Sequence, residues 1–533
     1  MPAKSNKSPD YQSLRKRTNG DGAADGNDNF SLKPSNTKNE ISVPESLVNP
    51  HKKIEKTPSE PVFIEPKISE TEIFAPQIAE EIPEKETNYA EEVKQKKEEK
   101  KEQRDRELLS GERWLKKNGH ILTYSGLYFF SILVLFRPYE IIPGLGFLST
   151  SAFIVAMATL LIYIPTQFTT EGTFTAFPTE VKCVLAMAAI ALVTMPIAKS
   201  PPLAWETFND SFIKAVLMFI VMVNVLRTRR RLMGLMWVSI AVAIFLSYTA
   251  IAMFMRGEAV VEGYRVDVGV KGLFGNPNDM ALHLVTMIPL VVCLGIASKS
   301  RLMTAGYFIM AALFVAANTV TYSRGGFLGL IAAAVVLVWK LGRRKRLTVS
   351  VVSMIVGVLF ILLAPGNYGV RILSIFGIVP DPNGSSTERT ELLKRSILVT
   401  LRNPWGIGIG NFPIVSQRNL VSHNAFTQVS AELGLLGLLV YLIFIISPFR
   451  KLGAIERTLF KKNELDWFYY LSIGLQASII GYMVSSFFVS VAYNWFIYYL
   501  IAYAVAFRRI YQIEKGLSEG VKADPLWDWE SKK

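Results

Sequence analysis

The stretch Ser422-His423-Asn424-Ala425-Phe426 ends a long polar segment and begins an apolar one. The polar segment, residues 365–424, contains many charged, Gly and Pro residues, whereas the apolar run continues to about residue 447. A helix crosses a bilayer core with about 20 apolar residues. This boundary therefore predicts a large loop that leads into a membrane span, with a histidine at the membrane face where its proton can move near neutral pH.

The rest of the chain supports a membrane protein. Of its 533 residues, 50% are hydrophobic, although the first 110 or so are very polar. The net charge of +14 comes from basic residues in short connections between apolar runs, so it indicates membrane orientation and not a nucleic-acid partner. We predict an all-α polytopic fold with about twelve transmembrane helices: 120–136, 145–165, 181–198, 211–226, 232–255, 278–298, 302–320, 326–340, 347–364, 425–447, 467–486 and 489–507.

The predicted organisation has four parts. Residues 1–88 lack apolar periodicity and are expected to be a disordered tail. Residues 89–119 are rich in Glu, Lys, Gln and Arg at helical spacing, which predicts a charged helical linker. The transmembrane domain covers 120–510 with its loop at 365–424, and 511–533 form a short C-terminal tail.

Alternate connections test the orientation. Every strongly basic short connection falls on one side if the N-terminal tail is cytoplasmic, as the positive-inside rule requires. Both termini are then cytoplasmic, and the 365–424 loop lies outside. The basic connections are 227–231, 299–301, 340–346, 450–462 and 508–509.

Two outside motifs precede the loop. Asn276 and Asn278 flank Pro277, a pattern that begins a helix, and helix initiation is the favoured interpretation. Arg265 lies just upstream in the same connection. Arg324 follows Ser323 and precedes two glycines. Membrane topology does not explain an arginine at the outer membrane face. We therefore favour a binding role for Arg324 over simple snorkelling to the interface.

Within the loop, Ser385 to Glu388 predicts a helix start, and an apolar face follows with Arg389, Arg395 and Arg402 around it. The bland role of these arginines is to anchor the helix at lipid headgroups. The sharper role is to bind a lipid-borne phosphate through bidentate guanidinium groups. The predicted apolar face consists of Leu392, Leu393, Ile397 and Leu401.

His423 is the candidate catalytic residue, with Asn424 and Glu432 as supporting residues. A lone histidine is usually structural, and its position at the mouth of a span beside an arginine-rich loop makes the two roles about equally weighted. The sequence contains no P-loop, dinucleotide fingerprint, zinc spacing or external acidic pair. We therefore expect chemistry without a metal or cofactor.

These motifs in this order resemble the O-antigen ligase and O-antigen polymerase superfamily of bacterial inner-membrane proteins, over roughly residues 120–510. The resemblance implies a periplasmic active site and an undecaprenyl-diphosphate-linked glycan as donor. It also implies that Arg324 and Arg389 grip the diphosphate while His423 activates an acceptor hydroxyl. The motifs are Gly275-Asn276-Pro277-Asn278, Ser323-Arg324-Gly325-Gly326, Gly406-Ile407-Gly408-Ile409-Gly410, His423-Asn424 and Glu432-Leu433-Gly434.

Several alternatives stay open. The acceptor is a lipid, a glycan or a protein, so ligase, chain polymerase and protein O-oligosaccharyltransferase are not separated. Arg395 or Arg402 could replace Arg389. A transporter for lipid-linked glycans is the competing class, although the spans show no internal repeat. The N-terminal tail, which the superfamily pattern does not include, is a candidate docking segment for other envelope-assembly proteins.

Overall fold

The computed structural model describes residues 92–104, 106–107, 119–142, 144–258, 265–268, 274–343, 346–363 and 385–515. The predicted disordered tail and most of the C-terminal tail lie outside these residues, as do loop residues 364–384. Within the predicted linker, 92–104 and 106–107 are helical and mostly exposed.

All long secondary-structure elements in the described part of the domain are helices. Short helical turns at 138–141, 146–150, 195–197, 412–415 and 417–419 occupy several connections. The helices are α1 (His120–Leu135), α2 (Ser151–Glu171), α3 (Thr179–Thr194), α4 (Pro201–Thr207), α5 (Ile213–Val225), α6 (Arg229–Met255), α7 (Pro277–Ala297), α8 (Arg301–Val320), α9 (Arg324–Leu341), α10 (Arg346–Leu363), α11 (Ser385–Arg402), α12 (Ala425–Lys461), α13 (Trp467–Ser486) and α14 (Trp495–Glu514).

Nine helices of the described part are long and apolar enough to cross a membrane. Each of the twelve predicted spans falls on a helix, but α10, α13 and α14 are not among the nine. Most side chains of α13 and α14 are buried among other helices. Because these helices meet little lipid, they can carry Tyr, Ser and Gln. The helical membrane architecture is confirmed, and the number of spans stays a prediction.

Small residues set the packing of α7, α9 and α13. A Cβ added to Gly326 would lie 2.7 Å from the Cβ of Ala281 on α7, and one on Gly329 would lie 2.9 Å from the carbonyl oxygen of Gly481 on α13. Such close approach is typical of helices that associate within a membrane. The glycines after Arg324 therefore have a structural reason of their own.

Two predicted boundaries differ from the structure. Helix α12 continues to Lys461, so the basic connection expected at 450–462 is helical almost to its end. This extension is amphipathic: Ile455 and Leu459 are buried, and Glu456 is buried between cationic side chains. The span expected at 211 begins at Pro201, because α4 runs into α5 through a single π-helical turn, Phe208–Phe212.

Buried and half-buried ion pairs collect at one end of the helices, here called the inner end. Glu171 contacts Arg227 and Arg509 at 2.8 and 2.7 Å. Glu456 contacts Lys340 at 2.8 Å. These residues end α2, α5, α9 and α14 or belong to the α12 extension, so alternate chain directions bring the predicted cytoplasmic connections together. Which side of the membrane this end faces stays a prediction.

Candidate functional site

Helix α12 is broken at Gly434, and a loop segment fills the break. Gly434 has a φ of +76° and a ψ of −177°, far from helical values. The carbonyl oxygens of Ala431 and Glu432 accept hydrogen bonds of 3.0 Å from the amides of Ile407 and Gly408. Residues 406–412, here called the glycine turn, thus satisfy the backbone groups that the break frees. The end of the helices that contains this turn is called the outer end.

The glycines of this turn are required by geometry. Gly406, Gly408 and Gly410 have φ values of +91°, +97° and +72°. A Cβ on Gly406 would lie 2.4 Å from the carbonyl oxygen of Glu432, and one on Gly410 would lie 2.8 Å from the Cβ of Thr207. The turn is therefore packed tightly between α12 and the end of α4.

Glu432 fastens the same turn from inside. Its side chain is 1% exposed, and its Oε1 accepts a hydrogen bond of 3.2 Å from the amide of Phe412. The Tyr493 hydroxyl also interacts with this carboxyl group. The sequence suggested that Glu432 helps to orient His423. In the structure its contacts are instead with the glycine turn and the α13–α14 connection.

Asn424 organises the start of α12 beside His423. Its Oδ1 accepts hydrogen bonds of 2.9 and 3.0 Å from the amides of Phe426 and Thr427, the usual action of an N-cap. His423 has a φ of +52°, a left-handed conformation that a non-glycine residue adopts at an energetic cost. Its side chain is half-buried. The cap and the strained backbone fix the position of the imidazole at the helix start.

Charges on α11 act on His423. Burial lowers the pKa of His423 below its usual 6.5, and the positive charge of Arg389 lowers it further, whereas Glu388 raises it. Arg389 and Glu388 therefore lie within electrostatic range of the imidazole. A lowered pKa keeps His423 neutral at physiological pH, which is the form that accepts a proton.

The three loop arginines occupy different places on α11. Arg389, in the first turn, is half-buried near His423. Arg395 donates from its Nε to the carbonyl oxygen of Val415 at 3.0 Å and is otherwise exposed. Arg402, at the far end of the helix, is exposed. Of the three, Arg389 is the one whose charge lowers the pKa of His423.

The buried face of α11 differs from the expected one. Leu392 is buried as predicted, but Ile397 and Leu401 are 47% and 70% exposed. The face that packs on α12 uses smaller and polar residues, with a hydrogen bond of 2.9 Å between the hydroxyls of Thr400 and Ser430. The spacing of apolar residues along α11 does not predict which face packs on α12, because α12 presents a polar surface to α11.

A second polar cluster joins the starts of α7 and α9. Arg265 donates to the carbonyl oxygen of Thr321 and to Oδ1 of Asn278, both at 2.9 Å. The same Oδ1 accepts from the hydroxyl of Ser323 at 2.9 Å. Asn276 caps α7 by accepting from the amide of Asn278. The buried Arg265 thus holds the residues that flank Arg324, which itself is half-buried in the first turn of α9.

The α13–α14 connection contacts both clusters. A Cβ on Gly325 would lie 2.8 Å from the Cβ of Phe488, and the hydroxyls of Ser422 and Ser490 are 3.1 Å apart. Gly325 follows Arg324 and Ser422 precedes His423, so this one connection contacts a direct neighbour of each of the two site residues.

Several polar atoms near the start of α12 make no hydrogen bond within the described residues. They are Nδ2 of Asn424, Oγ1 of Thr427 and Oε1 of Gln428, all buried. Buried polar groups are normally paired, and exceptions occur at functional sites. The sequence had pointed to Asn424 alone. Thr427 and Gln428, like Ser323 and Tyr493, were missed because each looks like an ordinary residue of an apolar helix or connection.

Metal ligands do not cluster in the described part of the chain. No group of three or more His, Cys, Asp or Glu side chains there is arranged to hold a metal ion. The expectation of metal-independent chemistry stays a prediction.

The fold and the site together define a polytopic membrane protein with a cationic and histidine-containing site at one end of its helices. Residues 309–442 match the family model described as O-antigen ligase. This match supports membership of the O-antigen ligase superfamily and confirms the resemblance. No curated protein matches the chain. The matched segment includes Arg324, Arg389, His423 and the glycine turn, whereas Arg265 and Asn278 lie before it.

Proposed function

We propose that this protein transfers a glycan from an undecaprenyl-diphosphate donor to an acceptor hydroxyl on the periplasmic face of the bacterial inner membrane. The observation that carries the proposal is a histidine at the capped start of α12 whose pKa is lowered by burial and by the charge of Arg389. Both residues lie within the segment that matches the O-antigen ligase family. A cation and a neutral histidine at one site suit the departure of an anion and the removal of a proton.

In the proposed reaction, His423 accepts the proton of the acceptor hydroxyl as its oxygen attacks the anomeric carbon of the donor's first sugar. The new carbon–oxygen bond forms while the bond to the diphosphate breaks. Undecaprenyl diphosphate leaves with the bonding electron pair, and the guanidinium groups of Arg324 and Arg389 stabilise its charge. A one-step displacement inverts the anomeric centre. No metal or cofactor takes part in this scheme.

Arg265 and Asn278 have a positioning role in the proposal. Arg265 links the loop before α7 to the carbonyl of Thr321 and, through Asn278, to Ser323. Ser323 caps α9 by accepting from the amide of Gly326 at 3.1 Å. The network therefore fixes the helix turn that begins at Arg324, and a guanidinium held in place needs no reorganisation as the leaving group develops charge.

The acceptor decides between a ligase, a chain polymerase and a protein O-oligosaccharyltransferase, and the proposal favours the ligase because the matched family model carries that description. The test uses protein purified in detergent, the lipid-linked glycan and candidate acceptors, with a chelator present. We expect release of undecaprenyl diphosphate and extension of one acceptor. The distribution of product sizes then separates single transfer from polymerisation.

His423→Ala and Arg324→Ala are the decisive variants. Both should elute as folded protein and lack transfer activity. Transfer by His423→Ala at the wild-type rate would exclude the proposed base. Absence of transfer with every acceptor would leave transport of lipid-linked glycans as the leading function.

A further inference from the structure

A cavity of about 230 Å³ opens beside α11, at the outer end of the helices. Its polar rim includes Glu388, Glu391 and Arg395 from α11 and Gln417 and Arg418 from the segment that follows the glycine turn. We call it the α11 cavity. The mechanism proposed above does not use it.

Apolar groups form part of the cavity lining. Leu392 and Leu420 line it, and Leu392 belongs to a buried cluster with Ile407, Phe412 and Ala431. An apolar patch surrounded by carboxylate, amide and guanidinium groups matches a sugar ring, which has an apolar C–H face and a rim of hydroxyls that both donate and accept hydrogen bonds.

The charges that line this cavity are balanced. The carboxylates of Glu388 and Glu391 face two exposed guanidinium groups, those of Arg395 and Arg418, and Arg418 pairs with Glu388 at 3.3 Å. A lining without net charge suits a neutral ligand better than a diphosphate. Carboxylates accept hydrogen bonds from hydroxyl groups, and the exposed pair between Arg418 and Glu388 costs little to rearrange.

The segment that walls the cavity has a strained backbone. Arg418 and Asn419 have φ values of +58° and +56°, both left-handed. The hydroxyl of Ser416 holds this turn by donating to the carbonyl oxygens of Pro413 and Leu420. Strain of this kind persists only where the surroundings enforce it, and it concentrates at ligand sites.

The cavity is adjacent to the proposed catalytic residue. Leu420 precedes His423 by three residues, and a chain of that length spans at most about 11 Å. Glu388 lines the cavity and also acts electrostatically on His423. A ring in the cavity would therefore place a neighbouring ring or its hydroxyl within reach of the imidazole.

We infer that the α11 cavity is a saccharide subsite that holds a neutral sugar ring of the glycan substrate through Glu388, Glu391, Gln417 and Arg418. This inference rests on the proposed function for the identity of the substrate. The ring belongs either to the donor chain or to the acceptor, since both present the same hydroxyl chemistry.

The test measures saccharide binding separately from transfer. The probes are the oligosaccharide that mild acid releases from the host's lipid-linked glycan, the core oligosaccharide of its lipopolysaccharide, and undecaprenyl diphosphate without sugar. Binding to the detergent-purified full chain is measured by calorimetry for the wild type, Glu391→Gln and Gln417→Ala. Glu206→Gln is the matched control, because Glu206 is also exposed and lies on α4, next to the glycine turn.

We expect each cavity variant to raise the Kd of one saccharide probe by about tenfold, because a hydroxyl loses a partner. The Kd of undecaprenyl diphosphate should not change. Glu206→Gln should match the wild type. Whichever saccharide shows the effect identifies the donor or the acceptor as the source of the ring.

Two results would overturn the inference: neither saccharide binds the wild type, or both cavity variants bind as tightly as the wild type. Helical content by circular dichroism, compared with that of Glu206→Gln, guards against misfolding. Failure of the proposed function can be told apart from failure of this inference. A protein without transfer activity would still bind a saccharide, with weaker binding by the cavity variants, if the cavity holds a sugar ring.

Discussion

The two ends of the helix bundle both bury charged groups, but they satisfy them differently. At the inner end, Glu456 lies between Lys340 and Arg343, and Glu180 lies near Lys451 and Arg508 at 3.4 and 3.7 Å. At the outer end, the buried Glu432 interacts with the backbone amides of Gly410 and Phe412 and with the Tyr493 hydroxyl. Cations thus neutralise Glu456 and Glu180 at the inner end, whereas neutral groups hold Glu432 at the outer end.

This difference separates structural charges from functional ones. The paired charges at the inner end join helix ends to one another. At the outer end, Arg389 acts on a half-buried histidine, and nearby polar atoms have no partner within the described residues. Titratable groups with perturbed pKa values are typical of functional sites. The comparison predicts that variants at the two ends affect different measurements.

The largest effect should come from the outer end. His423→Ala should lower the rate of transfer by about 10² to 10⁴-fold, because a positioned base contributes that much. Its melting temperature should stay near that of the wild type. Transfer rates at saturating donor concentration measure this effect. If the melting temperature of the variant falls together with its rate, His423 has a structural role instead.

The next effect belongs to the inner end. Glu456→Gln should destabilise the protein by about 3 to 5 kcal/mol, because two cations then lose the buried negative charge that they contact. Transfer per folded molecule should be unchanged. Denaturation in detergent gives the free energy of unfolding. Glu514→Gln is the control, since its pair with Arg229 is exposed and should contribute less than about 1 kcal/mol.

Arg389→Ala should lower transfer by about 10² to 10³-fold, the usual cost of one charge-stabilising donor. Lys394→Ala, a neighbouring exposed cation on the same helix, should behave like the wild type. Steady-state rates of diphosphate release compare the two. If Arg395→Ala or Arg402→Ala has the larger effect, the partner of Arg324 is one of those residues and the comparison of the two ends must be redrawn.

Gly406→Ala should reduce stability by about 1 to 3 kcal/mol or more, because it strains a left-handed residue and its Cβ meets backbone atoms of Glu432 and Gly434. Transfer should fall with it, since the turn supports α12. Thermal unfolding measures the change. Gly306→Ala, a helical position where a Cβ meets nothing within 4 Å, should be neutral or slightly stabilising.

The smallest effect concerns pH. Transfer should rise with pH through the pKa of His423, which lies below 6.5 because of burial and Arg389. Glu388 raises that pKa, so Glu388→Gln should lower it and shift the acid limb of the rate profile to lower pH. A shift to higher pH would show that a different group controls the limb.

The sequence by itself determined the helical membrane class, the places of most helices and the superfamily. Long apolar runs have few solutions in a bilayer, because backbone groups must bond within a helix. It also indicated the start of α11 at Ser385 and the boundary at His423, since caps and composition are local signals. The residues that carry the resemblance are short motifs, and the family match includes most of them.

Only the tertiary structure decided how these parts meet. In the structure the turn with Gly406, Gly408 and Gly410 fills the break in α12, and Glu432 contacts Phe412. The charge of Arg389 acts on His423. The tertiary structure also showed why α13 and α14 can be less apolar than lipid-facing spans. These outcomes depend on contacts between residues far apart in the chain, where neither periodicity nor local propensity carries information.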